Sequence, residues 1–352
     1  MTSTPPVRRR AALLLSVAFL TAAFAAPVPP AAAATVPGSI WGSTVPGNAA
    51  SEDPGPVEVG VKFRTDVEVR VTGIRFWRGP GNDGPHIGHL WRGDGTLLAG
   101  VAFPAPVGDG WQEARFDLPV SIAPGTTYVA SYFAPGGRYA YDLGYFAAGP
   151  YTNGPLRALA DGEDGGNGVF VYADGPAFPT ETFGSLNYWV DVLVEPSSRT
   201  EKRAVRDAVA GLRPTVPARP DGLLLDAALT ALDASLADRL WRDGDHLDPA
   251  AGRAVFTREA RAAAHLQILS VLSRGRTLGA ELRAVIARLV AVDRGLAALA
   301  VAEAPGLGVP EARIAKARGL IRLGDALARR RLAPAAITVY GQAWSLVRPP
   351  SP

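Results

Sequence analysis

The chain has no cysteine. Disulfides, thiol nucleophiles and thiolate metal sites are therefore excluded, and the fold must be held without covalent cross-links. A chain of this length can bury a core without covalent staples. Lysine is also scarce: Lys62, Lys202 and Lys316 are outnumbered many times by arginine. That bias fits a high-GC genome of actinobacterial type and is not a functional signal. No His-Glu-x-x-His, no Gly-x-Ser-x-Gly elbow and no P-loop occurs, which removes the common zinc-peptidase, hydrolase and nucleotidase signatures. Beyond the N-terminal region no apolar run is long enough to span a bilayer.

The N-terminus carries a different pattern. Arg8, Arg9 and Arg10 precede an apolar stretch from Ala11 to Ala26, and small residues follow at Ala23-Phe24-Ala25 and Ala32-Ala33-Ala34. This reads as a secretory signal peptide over residues 1–34, with a retained anchor as the alternative. The expected location is outside the cell or in its envelope, with no transmembrane segment in the mature chain.

The formal charge of +3 hides a division. From Thr35 to Pro196 there are 9 basic and 18 acidic residues; from Ser197 to Pro352 there are 24 basic and 15 acidic. A sign change halfway along a chain marks a domain boundary. The expected organisation is a β-sandwich over 35–196, a helix and Pro-rich linker over 197–222, and an α-helical bundle over 223–352. The basic half either meets the acidic one or faces an anionic surface such as a cell-wall polymer or lipid headgroup; otherwise its arginines simply solvate helix faces. Nucleic acid is not expected as a partner.

The first half alternates at period 2. Val67–Val71, Ile74–Trp77 beyond a Gly73 break, His89–Trp91, Leu97–Ala99, Gln112–Phe116 and Tyr128–Tyr132 read as short strands separated by Gly, Pro, Asn and Asp clusters. That is the pattern of an antiparallel β-sandwich of immunoglobulin or carbohydrate-binding-module type.

A collinear series runs through this half: Gly60-Val61-Lys62-Phe63, Val71-Thr72-Gly73-Ile74-Arg75-Phe76, Gly88-His89-Leu90-Trp91, Gly95-Thr96-Leu97-Leu98-Ala99, Gly110-Trp111-Gln112, Pro124-Gly125-Thr126-Thr127-Tyr128, Gly154-Pro155-Leu156, Asp161-Gly162, Gly166-Asn167-Gly168-Val169 and Tyr188-Trp189-Val190-Asp191-Val192. Over residues of about 57–195 it resembles the domain-of-unknown-function 4082 family. The resemblance implies a β-sandwich from an exported bacterial protein, in a family often found beside immunoglobulin-like or carbohydrate-active modules. It implies a binding or structural role and supplies no catalytic residues.

Several local motifs invite chemistry. Gly79-Pro80-Gly81-Asn82-Asp83-Gly84 has the spacing of a dinucleotide fingerprint, but the residues after it read as strand, so no helix N-terminus is there to meet a pyrophosphate. His86 and His89 are three apart and point to opposite faces of a strand, which disfavours a shared zinc. Asp161, Glu163, Asp164 and Asn167 sit in a glycine-rich loop; they form either a polar hairpin or a weak calcium site, the candidate cofactor of an otherwise cofactor-free chain. Trp77, His86, Tyr139, Tyr141, Tyr145, Trp189 and Asp191 are the candidate ligand-binding residues, since aromatic faces stack on sugar rings while neighbouring polar groups take the hydroxyls. Period 2 places Tyr188, Val190, Val192 and Val194 on a core face, with Trp189 and Asp191 opposite.

The second half changes period. Helices are expected over Glu201–Leu212, Leu223–Leu240, Ala254–Leu272, Gly279–Glu303, Pro310–Arg330 and Ala333–Val347. Leu225, Leu229, Leu232, Leu236 and Leu240 form one apolar stripe. The last two helices resemble a tetratricopeptide-type hairpin, with Gly324, Ala336 and Ala343 allowing close approach, and the half as a whole is similar to helical tails of exported bacterial proteins. Trp241–Pro249 is a loop, either a turn between helices or, through His246, a cation site. The expected function is an exported, non-catalytic binding or adhesion module with a helical interaction domain. The alternatives are a purely structural protein-interaction module, or a polysaccharide-acting enzyme using two carboxylates among Asp142, Asp161, Glu163, Asp164 and Asp191.

Overall fold

Alternating valines open the first sheet. The computed structural model describes Met1, Val36 and residues 38–216, 220–273 and 277–348; the expected signal segment lies outside these. In β1 (Val57–Thr65), Val57, Val59, Val61 and Phe63 are buried on one face. It pairs antiparallel with β6 (Tyr128–Ala134), which continues through β3 (Ile87–Arg92) to β4 (Leu97–Ala102). On its other side β1 pairs with β9 (Val169–Tyr172) and, further along, β8 (Leu156–Ala158); β7 (Tyr151–Asn153) and β10 (Glu181–Thr182) complete the sheet. A second, three-stranded sheet has β2 (Val69–Arg78) between β5 (Gly110–Ile122) and β11 (Val190–Pro196). Val71, Ile74, Phe76, Val190, Val192 and Val194 from this sheet share one core with the first.

The expected sandwich is therefore present, as two antiparallel sheets. The Gly73 break is a bulge within one continuous strand, where the β2–β5 register shifts between Val71 and Gly73. A Cβ at Gly73 would lie 2.2 Å from the Ala114 carbonyl oxygen, so the residue is glycine because backbone crosses there.

Among the described residues six α-helices follow: α1 (Ser198–Gly211), α2 (Asp221–Ser235), α3 (Arg253–Leu272), α4 (Thr277–Glu303), α5 (Glu311–Arg329) and α6 (Ala333–Val347). The expected Leu223–Leu240 helix stops at Ser235. The Trp241 indole donates to the Ser235 carbonyl (2.9 Å), taking an acceptor that a continuing helix would use, and Asp238–Leu240 forms a 3-10 turn instead. The α5–α6 hairpin closes as its small residues suggest: a Cβ on Gly324 would lie 2.4 Å from the Tyr340 ring. Leu323, however, is exposed. None of the helices among the described residues is long and apolar enough to cross a membrane.

The halves meet through the loop before α3. The buried Asp245 carboxylate accepts from the Ser198 backbone N–H (2.8 Å) and hydroxyl (2.7 Å) at the start of α1, and from Ser121 on β5 (2.6 Å). The Arg199 N–H donates to the Gly244 carbonyl (2.8 Å), and a Cβ at Gly244 would meet Ser197 at 2.6 Å. His246 holds the same loop from behind. One ring nitrogen bonds Asp243 (2.8 Å) and the other bonds Glu303 at the end of α4 (2.8 Å). Hydrogen bonds to these two carboxylates, against some burial, raise the imidazole to about 10.

Within the bundle, Lys202 of α1 is fully buried against Glu259 of α3 and Asp293 of α4, its ammonium 2.8 Å from Asp293. Burial beside the Glu259 carboxyl pushes Asp293 well up, so one proton kept on this carboxyl pair leaves a neutral cluster with Lys202.

Two outcomes follow from these anchors. Lys202→Met leaves two carboxyls without their cation and should cost about 3–5 kcal/mol; the triple exchange Lys202→Met, Glu259→Gln, Asp293→Asn should recover part of that in a denaturant titration. The raised His246 gives stability that is complete below about pH 6.5 and lost as pH rises toward 10. Melting temperature measured from pH 7 to 10 should fall more in the native chain than in His246→Gln.

Candidate functional site

Period 2 places Arg75 and Asp191 on the outer face of the smaller sheet, where the β2–β11 register sets them side by side. That face is not open. The segment Ser39–Gly42 lies over it: the Ile40 and Trp41 N–H groups donate to Asp191 (2.7 and 3.0 Å), and the Trp41 indole donates to the Val190 carbonyl (2.7 Å). Arg75 reaches Asp191 through Nε (2.9 Å) and Nη2 (2.7 Å), and the same Nη2 touches the Ser39 hydroxyl and the Gly42 carbonyl, both at 2.7 Å. The guanidinium lies 4.0 Å from the Trp111 ring centroid. Burial pushes the Asp191 carboxyl up, with the Arg75 charge and the two N–H groups working against it.

The aromatic candidates divide accordingly. Trp189 is buried among Trp41, Trp111 and Tyr145, with centroids 5.8, 6.3 and 5.8 Å away. Its φ of 54° is unusual for so large a residue. The Asn187 side chain accepting from its N–H (2.9 Å) and Asp142 accepting from its indole (2.9 Å) hold it there. Trp189 and Asp191 thus fill the interior under residues 38–44 and offer no face to a sugar. His86 is also buried, bonded to Asn82 (2.8 Å) and packed on Phe76; burial first, then Arg78, lowers it to about 4, so it is neutral at pH 7. Trp77, Tyr139, Tyr141 and Tyr145 keep part of their surface in solvent.

The acidic loop is cross-linked to its own sandwich. Asp161 accepts from the Asn167 N–H (2.9 Å), Glu163 bonds Arg157 (2.6 Å), and Asp164 bonds Arg64 (3.1 Å) and the Thr127 hydroxyl. Asn167 is buried, bridging the Lys62 N–H and carbonyl and the Leu159 carbonyl. One oxygen of each carboxylate is thus met by a protein donor, as in a polar hairpin. No group of three or more carboxylate or imidazole side chains that could hold a metal is present among the described residues.

Two further clusters carry no sequence motif. On the outer face of the larger sheet, Glu58 accepts from Ser131 (2.5 Å) and bonds His89 (2.9 Å), while the Trp91 indole donates to Ser131 (2.8 Å). The serine hydroxyl addresses the carboxylate and not the imidazole, so this is not a nucleophile–base pair, and all of these side chains are buried. Burial raises the Glu58 carboxyl. Ser131 is in register with His89 on one side and Gly60 on the other, with Glu58 two positions along β1 from Gly60; this signal emerges only once β1, β6 and β3 are known to be neighbours.

The other cluster is at the surface. Where β1 begins and β9 ends, Asp53 Oδ2 accepts from the hydroxyls of Tyr172 (2.5 Å) and Tyr139 (3.2 Å), and Oδ1 accepts from the Gly55 N–H (2.9 Å). Burial opposes ionisation of Asp53; the Tyr172, Gly55 and Tyr139 donors overcome it and hold the carboxyl below its usual range. Tyr139 packs edge-on to the buried Tyr188 (5.2 Å), and Tyr172 edge-on to Phe170 (5.7 Å). Tyr172 remains 55 % exposed. Arg138, at a φ of 56°, donates to the Asp53 carbonyl through its backbone and to Glu52 through its guanidinium. Of the sequence candidates only Tyr139 belongs to this cluster.

Residues 43–190 match the family model described as Domain of unknown function (DUF4082), in agreement with the resemblance read from the sequence. The matched region holds Asp53, Arg75, Tyr139 and Tyr172, and the helical half lies outside it. A comparison with curated proteins finds no match.

The Asp191 geometry sets a stability test. Asp191→Ala leaves the buried Arg75 unpaired and releases Ile40 and Trp41, and should cost about 3–5 kcal/mol. Limited proteolysis should then cut near residues 39–44 first, with a lowered melting temperature; an unchanged melt would show that the segment holds without the carboxylate.

Proposed function

We propose that the chain is an exported, non-catalytic binding module whose sandwich contacts a glycan or cell-wall polymer through Asp53, Tyr139 and Tyr172. The observation that carries this reading is the exposed Tyr172 ring, fixed by its hydroxyl to a carboxylate that a second tyrosine shares (2.5 and 3.2 Å). A ring clamped at its polar tip loses little freedom on binding and keeps a flat apolar face beside a charged acceptor. Sugars ask for this combination: C–H groups against the ring, hydroxyl donors toward the carboxylate. Trp77 and Trp111, edge to face at 5.8 Å and partly exposed, offer a second aromatic surface nearer β5. Tyr172 supports the reading better because its exposed ring sits next to an ionised acceptor.

Retention of the full chain on insoluble wall and plant polysaccharides, with a glycan array beside it, tests the proposal. Tyr172→Ala should reduce retention about 5–10-fold, the scale of one aromatic contact of about 1–1.5 kcal/mol, without moving the melting temperature. Asp53→Asn should weaken binding in the same direction. Retention on no glycan would sink the proposal, as would full retention by Tyr172→Ala.

A further inference from the structure

The bundle carries an open groove of about 970 Å³ between α3, α4, α5 and α6. Its floor is apolar, built from Ile286, Ala287, Val290 and Val271. Its rim is cationic: Arg283, Arg294, Arg329, Arg330 and Arg331 against a single carboxylate, Asp325. Asp325 is already engaged by Arg294 (2.8 Å) and the Tyr340 hydroxyl (2.8 Å). Among the described residues, no carboxylate lies within ion-pair distance of Arg283, Arg329, Arg330 or Arg331. Beside the groove a second apolar depression is lined by Ile268, Leu272 and Leu332 together with Val271. These four side chains are 50, 59, 43 and 52 % exposed.

We infer that this end of the bundle docks on the leaflet of a membrane rich in anionic lipid, with headgroups on the arginines and the four apolar side chains in the interface. Charge complementarity selects the occupant, since the unpaired rim charges are all positive. The exposed apolar patch outside the groove selects the source. A single anionic amphiphile in the groove would leave Ile268 and Leu272 in water, whereas a leaflet covers both. A contiguous apolar patch edged by basic residues is the composition of an interfacial membrane contact, and each arginine near an anionic surface adds attraction that salt screens. The arginines at the end of α5 also complement its C-terminal dipole, but that role needs no exposed apolar patch beside them.

Because the chain lacks cysteine, a single reporter can be placed at will. In the full chain, Ala335→Cys puts an environment-sensitive dye in the depression beside Leu332. Ala250→Cys puts the same dye beyond the other end of α3, about 30 Å away along that helix. Vesicles of phosphatidylglycerol and phosphatidylcholine should blue-shift the dye at position 335 and leave position 250 unchanged, while phosphatidylcholine alone should shift neither. The triple exchange Arg329→Glu, Arg330→Glu, Arg331→Glu should raise the lipid concentration needed on the order of 100-fold. Arg330→Glu alone should raise it about 5-fold, which keeps the test valid if the triple variant folds poorly. The proposal is overturned by no shift at position 335, by equal shifts on both vesicle types, by an unchanged response in the arginine variants, or by a shift given only by an acidic polypeptide.

Discussion

The Asp191 carboxylate organises the sandwich. It sits on the outer face of the smaller sheet, where alternation alone would leave it in water, and it accepts from Arg75, Ile40, Trp41 and its neighbour Val192. A buried carboxylate is costly unless its lone pairs are filled and its charge is met. Both conditions hold only if the chain preceding β1 lies across the sheet. Trp41 then reaches Trp189 and Tyr151, and an outer face becomes part of the core. Without this pair the smaller sheet would have an apolar inner face and a wet outer one. With it, the aromatic side chains that most resemble a ligand platform are roofed over.

A second carboxylate, Asp245, performs the corresponding task between the halves. It ties β5 to the first residues of α1 by way of a loop from the helical half. The charge division of the sequence therefore does not become a broad electrostatic face-to-face contact. The junction rests on a few directed bonds, among them the Thr200 hydroxyl to the Glu68 carbonyl (2.7 Å) and Arg203 to Glu68 (3.0 Å). Part of the excess positive charge sits away from this junction, where the α5–α6 turn places three consecutive arginines.

Local periodicity carried much of the architecture. Apart from α2, which stops at Ser235 short of Leu240, the helices after Ser197 begin and end near the expected positions because apolar spacing and Pro or Gly punctuation are local properties. The valine alternation in β1, β2 and β11 identified the core face for the same reason. What periodicity does not encode is what covers the other face. Period 2 sets Asp191 and Trp189 on the opposite side of the strand from Val190, yet nothing in their neighbourhood announces that residues 39–42, some 150 positions away, will cover them. Asp53 and Tyr172 illustrate the converse. The first lies in a Pro-Gly turn and the second ends a short strand; they become a site only because β9 pairs with the start of β1.

The two surfaces singled out for binding share a physical logic. The interior charges that shape the fold are met by a partner inside the molecule: Asp191 by Arg75, Asp293 and Glu259 by Lys202, while the Asn167 amide is met by backbone. At two places fixed charge lies beside exposed apolar surface. At Asp53 an ionised carboxylate adjoins an open tyrosine ring, and at the end of α5 unpaired arginines adjoin four open aliphatic side chains. The first pairs an anion with a flat ring and suits a hydroxyl-rich ligand of small footprint. The second pairs several cations with four exposed aliphatic side chains and suits an extended anionic surface. The charge signs differ and the apolar partners differ, so the two ends of this molecule select different chemistries, and a chain that engages both would bridge a polymer and a membrane.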